Sequence, residues 1–162
     1  MDFSFASLLP LDRFEALLAM PLGEVWLAAA ILGLTASIYA SGIPGALLPI
    51  SFSSGALLGG GLGMAAVAAG ALLGSLVLYT LFERGSQATL RVKYADRLKR
   101  LDALASRGGL MPIIGLRLAG VPHIAVTALC ALAAVGTRRY ALATMLGVLP
   151  AIALSSVAGA AL

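Results

Sequence analysis

The sequence predicts an all-α polytopic membrane protein folded as a single domain over residues 1–162, and three observations carry that expectation. First, 60% of the residues are hydrophobic and only 11% are charged, against roughly 25% charged in soluble domains; the mean hydropathy is +1.02. Second, the 58 residues from Val25 to Phe82 contain no Asp, Glu, Lys or Arg, enough for nearly three helical crossings of a ~30 Å hydrocarbon core at ~1.5 Å per residue. Third, glycines and prolines break the apolar stretches part-way, which predicts re-entrant helical hairpins as well as full spans.

Residues 1–23 carry Asp2, Asp12 and Glu15 and no basic n-region ahead of an apolar run, so they do not read as a cleaved signal peptide. Phe3, Phe5, Leu8, Leu9, Phe14 and Leu17 suit an interfacial segment, which Pro10 divides in two. Residues 24–41 are expected to cross the membrane. Ser41-Gly42-Ile43-Pro44-Gly45-Ala46-Leu47-Leu48-Pro49 then interrupts the apolar run, so residues 42–61 are assigned to a first re-entrant hairpin entering from the opposite face. Residues 62–83 are the next span.

Residues 86–107 have a different pattern. Leu90, Tyr94, Leu98, Leu101 and Leu104 recur every three or four residues, with Arg91, Lys93, Asp96, Arg97, Lys99, Arg100 and Asp102 on the other faces. That spacing predicts a basic amphipathic helix of about five turns lying on anionic headgroups. Its lipid-seeking stripe and the lack of a recognition motif argue against nucleic acid as a partner. Lys and Arg collect in short cytoplasmic loops, so this helix and the N-terminus are expected in the cytoplasm.

Residues 108–135 contain Pro112, Gly115, Gly120 and Pro122, which make one continuous helix improbable. Arg138 and Arg139 follow directly. A second hairpin, entering from the cytoplasm and turning near Gly120 and Pro122, keeps them on the basic side; residues 138–161 are the last span. In both halves a Pro-containing break, at Pro44 or Pro122, precedes a glycine (Gly59–Gly63, or Gly136) and then a full span. Weak internal symmetry of this kind marks inverted-repeat transporters.

Arg117 is the only charged residue between Arg107 and Arg138. An arginine at mid-membrane costs roughly 2.5–3.5 kcal/mol and is a functional-site hypothesis by default. Its planar fork of donors fits a phosphate bidentately, and open backbone at Pro44, Gly45, Gly120 and Pro122 adds amides for an anion. The alternative is that Arg117 bonds carbonyls at 42–45 or at Gly120 and only braces the hairpins. His123, the one histidine, titrates near neutrality when unperturbed; it is either an assistant to Arg117 or a neutral packed side chain. Ser41, Ser51, Ser53 and Ser54 polarise the first break or bond their own helix. Gly70 and Gly74 form a G-x-x-x-G, which suits an intramolecular helix contact or a homodimer seam. Lone Cys130 is packing.

No metal-ligand spacing, cofactor motif or phosphate-binding P-loop appears, and His123 has no recognisable nucleophile partner. The chain is therefore not expected to be an enzyme.

The order and spacing of Gly42-Ile43-Pro44-Gly45, Gly55 with Gly59 and Gly63, Gly70-Ala71-Leu72-Leu73-Gly74-Ser75, Tyr79, Arg84-Gly85, the basic helix, Leu116-Arg117-Leu118-Ala119-Gly120-Val121-Pro122 and Gly136-Thr137 resemble the DedA superfamily, also called the SNARE-associated Golgi protein or VTT-domain group. The resemblance runs from Gly42 to the C-terminus. It implies a bacterial inner-membrane protein with two opposed re-entrant hairpins that moves polyprenyl phosphates or phospholipids between leaflets. The arginine of the family's R-x-x-P-type motif falls on Arg117. Gly120 stands where members often carry proline, Pro122 keeps the second position, and an asparagine of the following helix is missing. The acidic positions of the DedA branch are Ala46 and Ser75 here, which removes proton coupling through those carboxylates and points to the wider VTT group.

The expected function is accordingly a flippase- or scramblase-like lipid transporter. Its partners are membrane lipids and their phosphate headgroups, and its binding residues are Arg117, Pro122, His123, Gly120, Pro44, Gly45 and Ser75. The alternatives are a proton- or ion-coupled small-solute transporter, and a non-transporting membrane assembly factor.

Overall fold

The structure is a computed structural model that describes residues 22–85, 110–133 and 135–161. The expected N-terminal interfacial segment and the basic amphipathic helix lie outside these residues. The described residues form helices α1 (Gly23–Ser41), α2 (Leu47–Gly85), α3 (Met111–Leu118), α4 (His123–Leu132) and α5 (Thr137–Ala160). Of these, α1, α2 and α5 are long and apolar enough to cross a membrane.

Helix α2 is two arms folded on each other. Gly59, at φ 76° and ψ 162°, leaves the helical region, a conformation that only glycine adopts without strain. The chain reverses there: the Ser54 hydroxyl reaches the Gly63 carbonyl at 3.4 Å, and a Cβ on Gly63 would lie 2.5 Å from the Ser54 carbonyl oxygen. Residues 60–85 then run parallel to α1, because Gly70 packs on Leu32 and Thr35 while Gly74, four residues on, packs on Ala36 and Tyr39. The G-x-x-x-G is thus an intramolecular seam.

Helix α1 matches the expected span at 24–41. Within the expected 42–61 hairpin the structure places one helical arm, residues 47–58, between the turn at 42–46 and the break at Gly59, so the second arm of that helix pair is α1. The physical reason is that two breaks lie close together, at Gly42–Gly45 and at Gly59, and both reverse the chain. Gly23 and Gly85 consequently sit at opposite ends of the bundle, so α1 alone does not bring the chain's start to the end where α2 finishes.

The second half repeats the first. Helix α3 is the incoming arm, residues 119–122 the tip and α4 the outgoing arm; Gly136, at φ 85° and ψ 136°, then starts α5. Both tips are built alike. In Gly42-Ile43-Pro44 and Gly120-Val121-Pro122, the glycine is left-handed at φ 72° and 77°. Its amide bonds the carbonyl three residues back (Tyr39, Arg117), and the following amide bonds the carbonyl five back (Ile38, Leu116). These are two Schellman closures, which satisfy the last carbonyls of α1 and α3.

Helix α5 runs antiparallel to residues 60–85. Near its start the Tyr140 ring stacks on Tyr79 at 4.6 Å, and near its end Val157 packs on Gly60. Arg84, Arg138 and Arg139 therefore gather at one end. Small residues allow backbone-close contact: Gly55 lies on the Ser156 carbonyl and Gly159 on the Phe52 carbonyl, while the Ser156 hydroxyl donates to the Ser51 carbonyl at 3.1 Å. Without a hydrophobic drive between helices in lipid, such close packing supplies the association energy. The hydroxyls of Thr35, Ser51 and Ser75 donate to carbonyls four residues back in their own helices.

Two outcomes follow. Gly55→Leu should lower the thermal midpoint in detergent by about 4–8 °C through overpacking on backbone, whereas Gly33→Leu, at a position with nothing within 4 Å, should leave it unchanged. In a Cys130→Ala background, single cysteines at Leu22 and Gly85 should label from opposite sides of a vesicle, and those at Gly85 and Arg138 from the same side.

Candidate functional site

The two tips meet. A Cβ on Gly42 would lie 2.9 Å from Ile124 Cδ1, and the Tyr39 ring lies 4.6 Å from His123, tilted by 57°. Between the tips is a cavity of about 260 Å³, lined on one side by Tyr39, Pro44, Gly45 and Ala46 and on the other by Arg117, Gly120, Pro122 and His123, with Val148 of α5. Val148 is the twelfth of the 24 residues of α5, so the cavity lies at mid-length of that helix.

Arg117 is held from three directions. Its NH1 donates to His123 Nδ1 at 3.0 Å, and its NH2 donates to the Tyr140 hydroxyl at 3.1 Å and to Thr144 Oγ1 at 2.9 Å. The guanidinium carbon lies 5.5 Å from the centre of the Tyr140 ring. Its aliphatic stem rests on Gly147, where a Cβ would approach Arg117 Cβ to 2.8 Å. Tyr140, Thr144 and Gly147 share one face of α5 by their i, i+4, i+7 spacing, and together they form a slot for this side chain.

The slot is anchored in turn. The Tyr140 and Thr127 hydroxyls are 2.8 Å apart, Thr127 donates to the His123 carbonyl at 2.8 Å, and Tyr140 reaches the Ser75 carbonyl at 3.4 Å. Among the described residues the guanidinium's hydrogen-bond partners are a histidine ring and two hydroxyls. Among the described residues the only carboxylates are Glu24 and Glu83, and neither lines the cavity. Two polar atoms at the site, Arg117 Nε and His123 Nε2, are buried without a partner.

Both outgoing arms begin at the cavity. Residues 47–58 start beside Ala46, and α4 starts at His123. The first amides of a helix have no intrahelical acceptor, and the positive end of the helix dipole lies there. The opposing carbonyl ends of α1 and α3 are closed by their Schellman turns. The lining therefore combines a mostly apolar wall, including Ile43, Leu47, Val121 and Val148, with two helix starts and one fixed positive charge.

Of the residues singled out in the sequence, Arg117, Gly120, Pro122, His123, Pro44 and Gly45 line this one cavity. Ser75 does not: it is fully buried, its hydroxyl donates to the Ala71 carbonyl at 2.6 Å, and only its backbone carbonyl touches the network. Arg117 bonds side chains of α4 and α5 and not the carbonyls of 42–45. Tyr39, Thr127, Tyr140, Thr144 and Gly147 were not singled out. The available signal was the Tyr140/Thr144/Gly147 spacing in the last span, together with Tyr39 standing three residues before its glycine exactly as Arg117 does. Among the described residues no cluster of side chains is fit for a metal.

No curated protein and no solved structure matches this chain. A family model, the VTT domain, matches residues 43–161, a range that takes in the second hairpin, all of α5 and every cavity-lining residue but Tyr39. With its three membrane-capable helices, the chain is an integral membrane protein and belongs to the VTT-domain family, the domain of the DedA/SNARE-associated Golgi protein group.

Proposed function

We propose that this protein moves a phosphate-bearing lipid between membrane leaflets, with the cavity between the hairpin tips as the headgroup site. The observation that carries the reading is the guanidinium of Arg117, whose hydrogen-bond partners among the described residues are a histidine ring and two hydroxyls, at a cavity beside which two helical arms begin. Both features favour an anion. An incoming phosphate would supply the countercharge that the described chain lacks, and would offset the cost of holding a cation at that depth.

Size agrees with this assignment. At about 260 Å³ the cavity falls just under the ~300–1,000 Å³ of sites that enclose a whole small ligand. It suits a phosphate headgroup whose apolar tail stays outside, against exposed Ile43 and Leu118. The two tips would then act as re-entrant hairpins from opposite faces, and the basic end of the bundle, at Arg84, Arg138 and Arg139, would be cytoplasmic by the positive-inside rule. The chemistry required is binding and release, with no covalent step.

Reconstitution into vesicles with a headgroup-labelled phospholipid, and separately with a labelled polyprenyl phosphate, tests the reading. Faster exchange between leaflets than in protein-free vesicles is expected for one or both; no acceleration for either contradicts it. Charge-assisted hydrogen bonds contribute about 1.5–3 kcal/mol, so Arg117→Ala should slow exchange roughly ten- to a hundredfold. Arg117→Lys should retain part of the rate if phosphate binding dominates, because an ammonium still attracts phosphate. It should match Arg117→Ala if bracing of Tyr140 and Thr144 dominates.

A further inference from the structure

The single histidine sits against the one cation among the residues lining the cavity, and the direction of their hydrogen bond is fixed by chemistry. A guanidinium has donors and no acceptor. With Arg117 NH1 3.0 Å from His123 Nδ1, Nδ1 must present its lone pair, so a neutral ring carries its proton on Nε2. A proton on Nδ1, in the other tautomer or in an imidazolium, would set two N–H groups head to head. The groups around the ring are Arg117 from α3 and Tyr39 from α1, with no carboxylate among the residues lining the cavity.

Nε2–H is then a donor, and among the described residues it is buried without a well-formed hydrogen bond, as is the Nε–H of Arg117. Buried donors are satisfied in nearly all structures, and each exception calls for an explanation. Three such atoms stand among the described residues, the Tyr79 hydroxyl, Arg117 Nε and His123 Nε2; the last two belong to one hydrogen-bonded pair, and both of those residues line the same cavity. We propose that Arg117 locks His123 in the neutral tautomer with its proton on Nε2, and that His123 and Arg117 together donate Nε2–H and Nε–H to the oxyanion that enters the cavity. His123 is thus a second binding residue and not a proton carrier. This rests on the reading of the cavity as an oxyanion site.

Because the chain has one histidine, full-length protein labelled with ¹⁵N-histidine in nanodiscs gives one imidazole to observe. At neutral pH the proposal expects an unprotonated Nδ1 and a protonated Nε2; a proton on Nδ1, or on both nitrogens, overturns it whatever the protein transports. Dihexanoyl phosphatidic acid and inorganic phosphate are then titrated separately. A shift of the Nε2–H resonance with either supports the proposal, and a shift with the lipid alone shows that the tail is needed for entry. No shift with either overturns the donor role even if vesicle exchange persists. A shift in a protein that exchanges no lipid keeps the site and removes the transport reading. Losing one hydrogen bond to a charged acceptor predicts that His123→Leu weakens phosphatidic acid binding roughly ten- to a hundredfold. His123→Gln, whose amide accepts and donates, should recover much of that loss; equal affinity of the two variants contradicts the proposal.

Discussion

A guanidinium in an apolar bundle has to be surrounded by hydrogen-bond acceptors or by an anion, and most of the site's construction follows from that demand. Arg117 finds a ring nitrogen and two hydroxyls on α4 and α5, and each is held by a further contact. Tyr140 is stacked on Tyr79 and bonded to Thr127, and Thr127 is bonded back to the His123 carbonyl. The second hairpin is thereby tied to α5 through side chains, while the first tip reaches it through Gly42 against Ile124 and Tyr39 against His123. Neutral acceptors solvate the charge without cancelling it, which is the basis of the proposed anion site.

The backbone is arranged to the same end. A helical hairpin at membrane depth exposes polar backbone groups at its tip, which is tolerated only where protein or a cavity covers them. Left-handed Gly42 and Gly120 close the carbonyl ends of α1 and α3 with Schellman turns, and the free amide ends of the outgoing arms are left facing the cavity. One structural solution, used twice in opposite senses, brings two helix starts and Arg117 to one largely apolar pocket beside Val148 of α5. That the two tips share Gly-x-Pro, with Tyr39 and Arg117 at equivalent places, shows how one repeat carries the charge while the other supplies an aromatic wall.

Much of this was legible in the sequence. The lipid-facing composition, the breaks at Gly42–Gly45 and Gly120–Pro122, and the cost of Arg117 all follow from residue chemistry that acts locally. What was not legible depended on distant partners. Gly59 sits in a run of glycines, and nothing local says which of them reverses the chain, so the parallel course of α1 and residues 60–85 was missed. The small-residue seams at Gly55 and Gly159 become visible only once α5 is laid against them. Tyr140 and Thr144 look like ordinary members of an apolar span until Arg117 is placed beside them, and Ser75 reads as available in the sequence while its own helix supplies the acceptor for its hydroxyl.

The central claim, that Arg117 meets a lipid phosphate at mid-membrane, is tested most directly by measuring ¹³C–³¹P dipolar coupling between guanidinium-labelled arginine and lipid phosphorus in oriented or proteoliposome samples. Comparison with Arg117→Lys isolates the signal of this one residue. The account predicts a ³¹P contact for Arg117 Cζ at hydrogen-bonding range, as close as that of any arginine at the headgroup surface. A resolved Arg117 signal with no phosphorus coupling, in protein that still exchanges lipid, would contradict it.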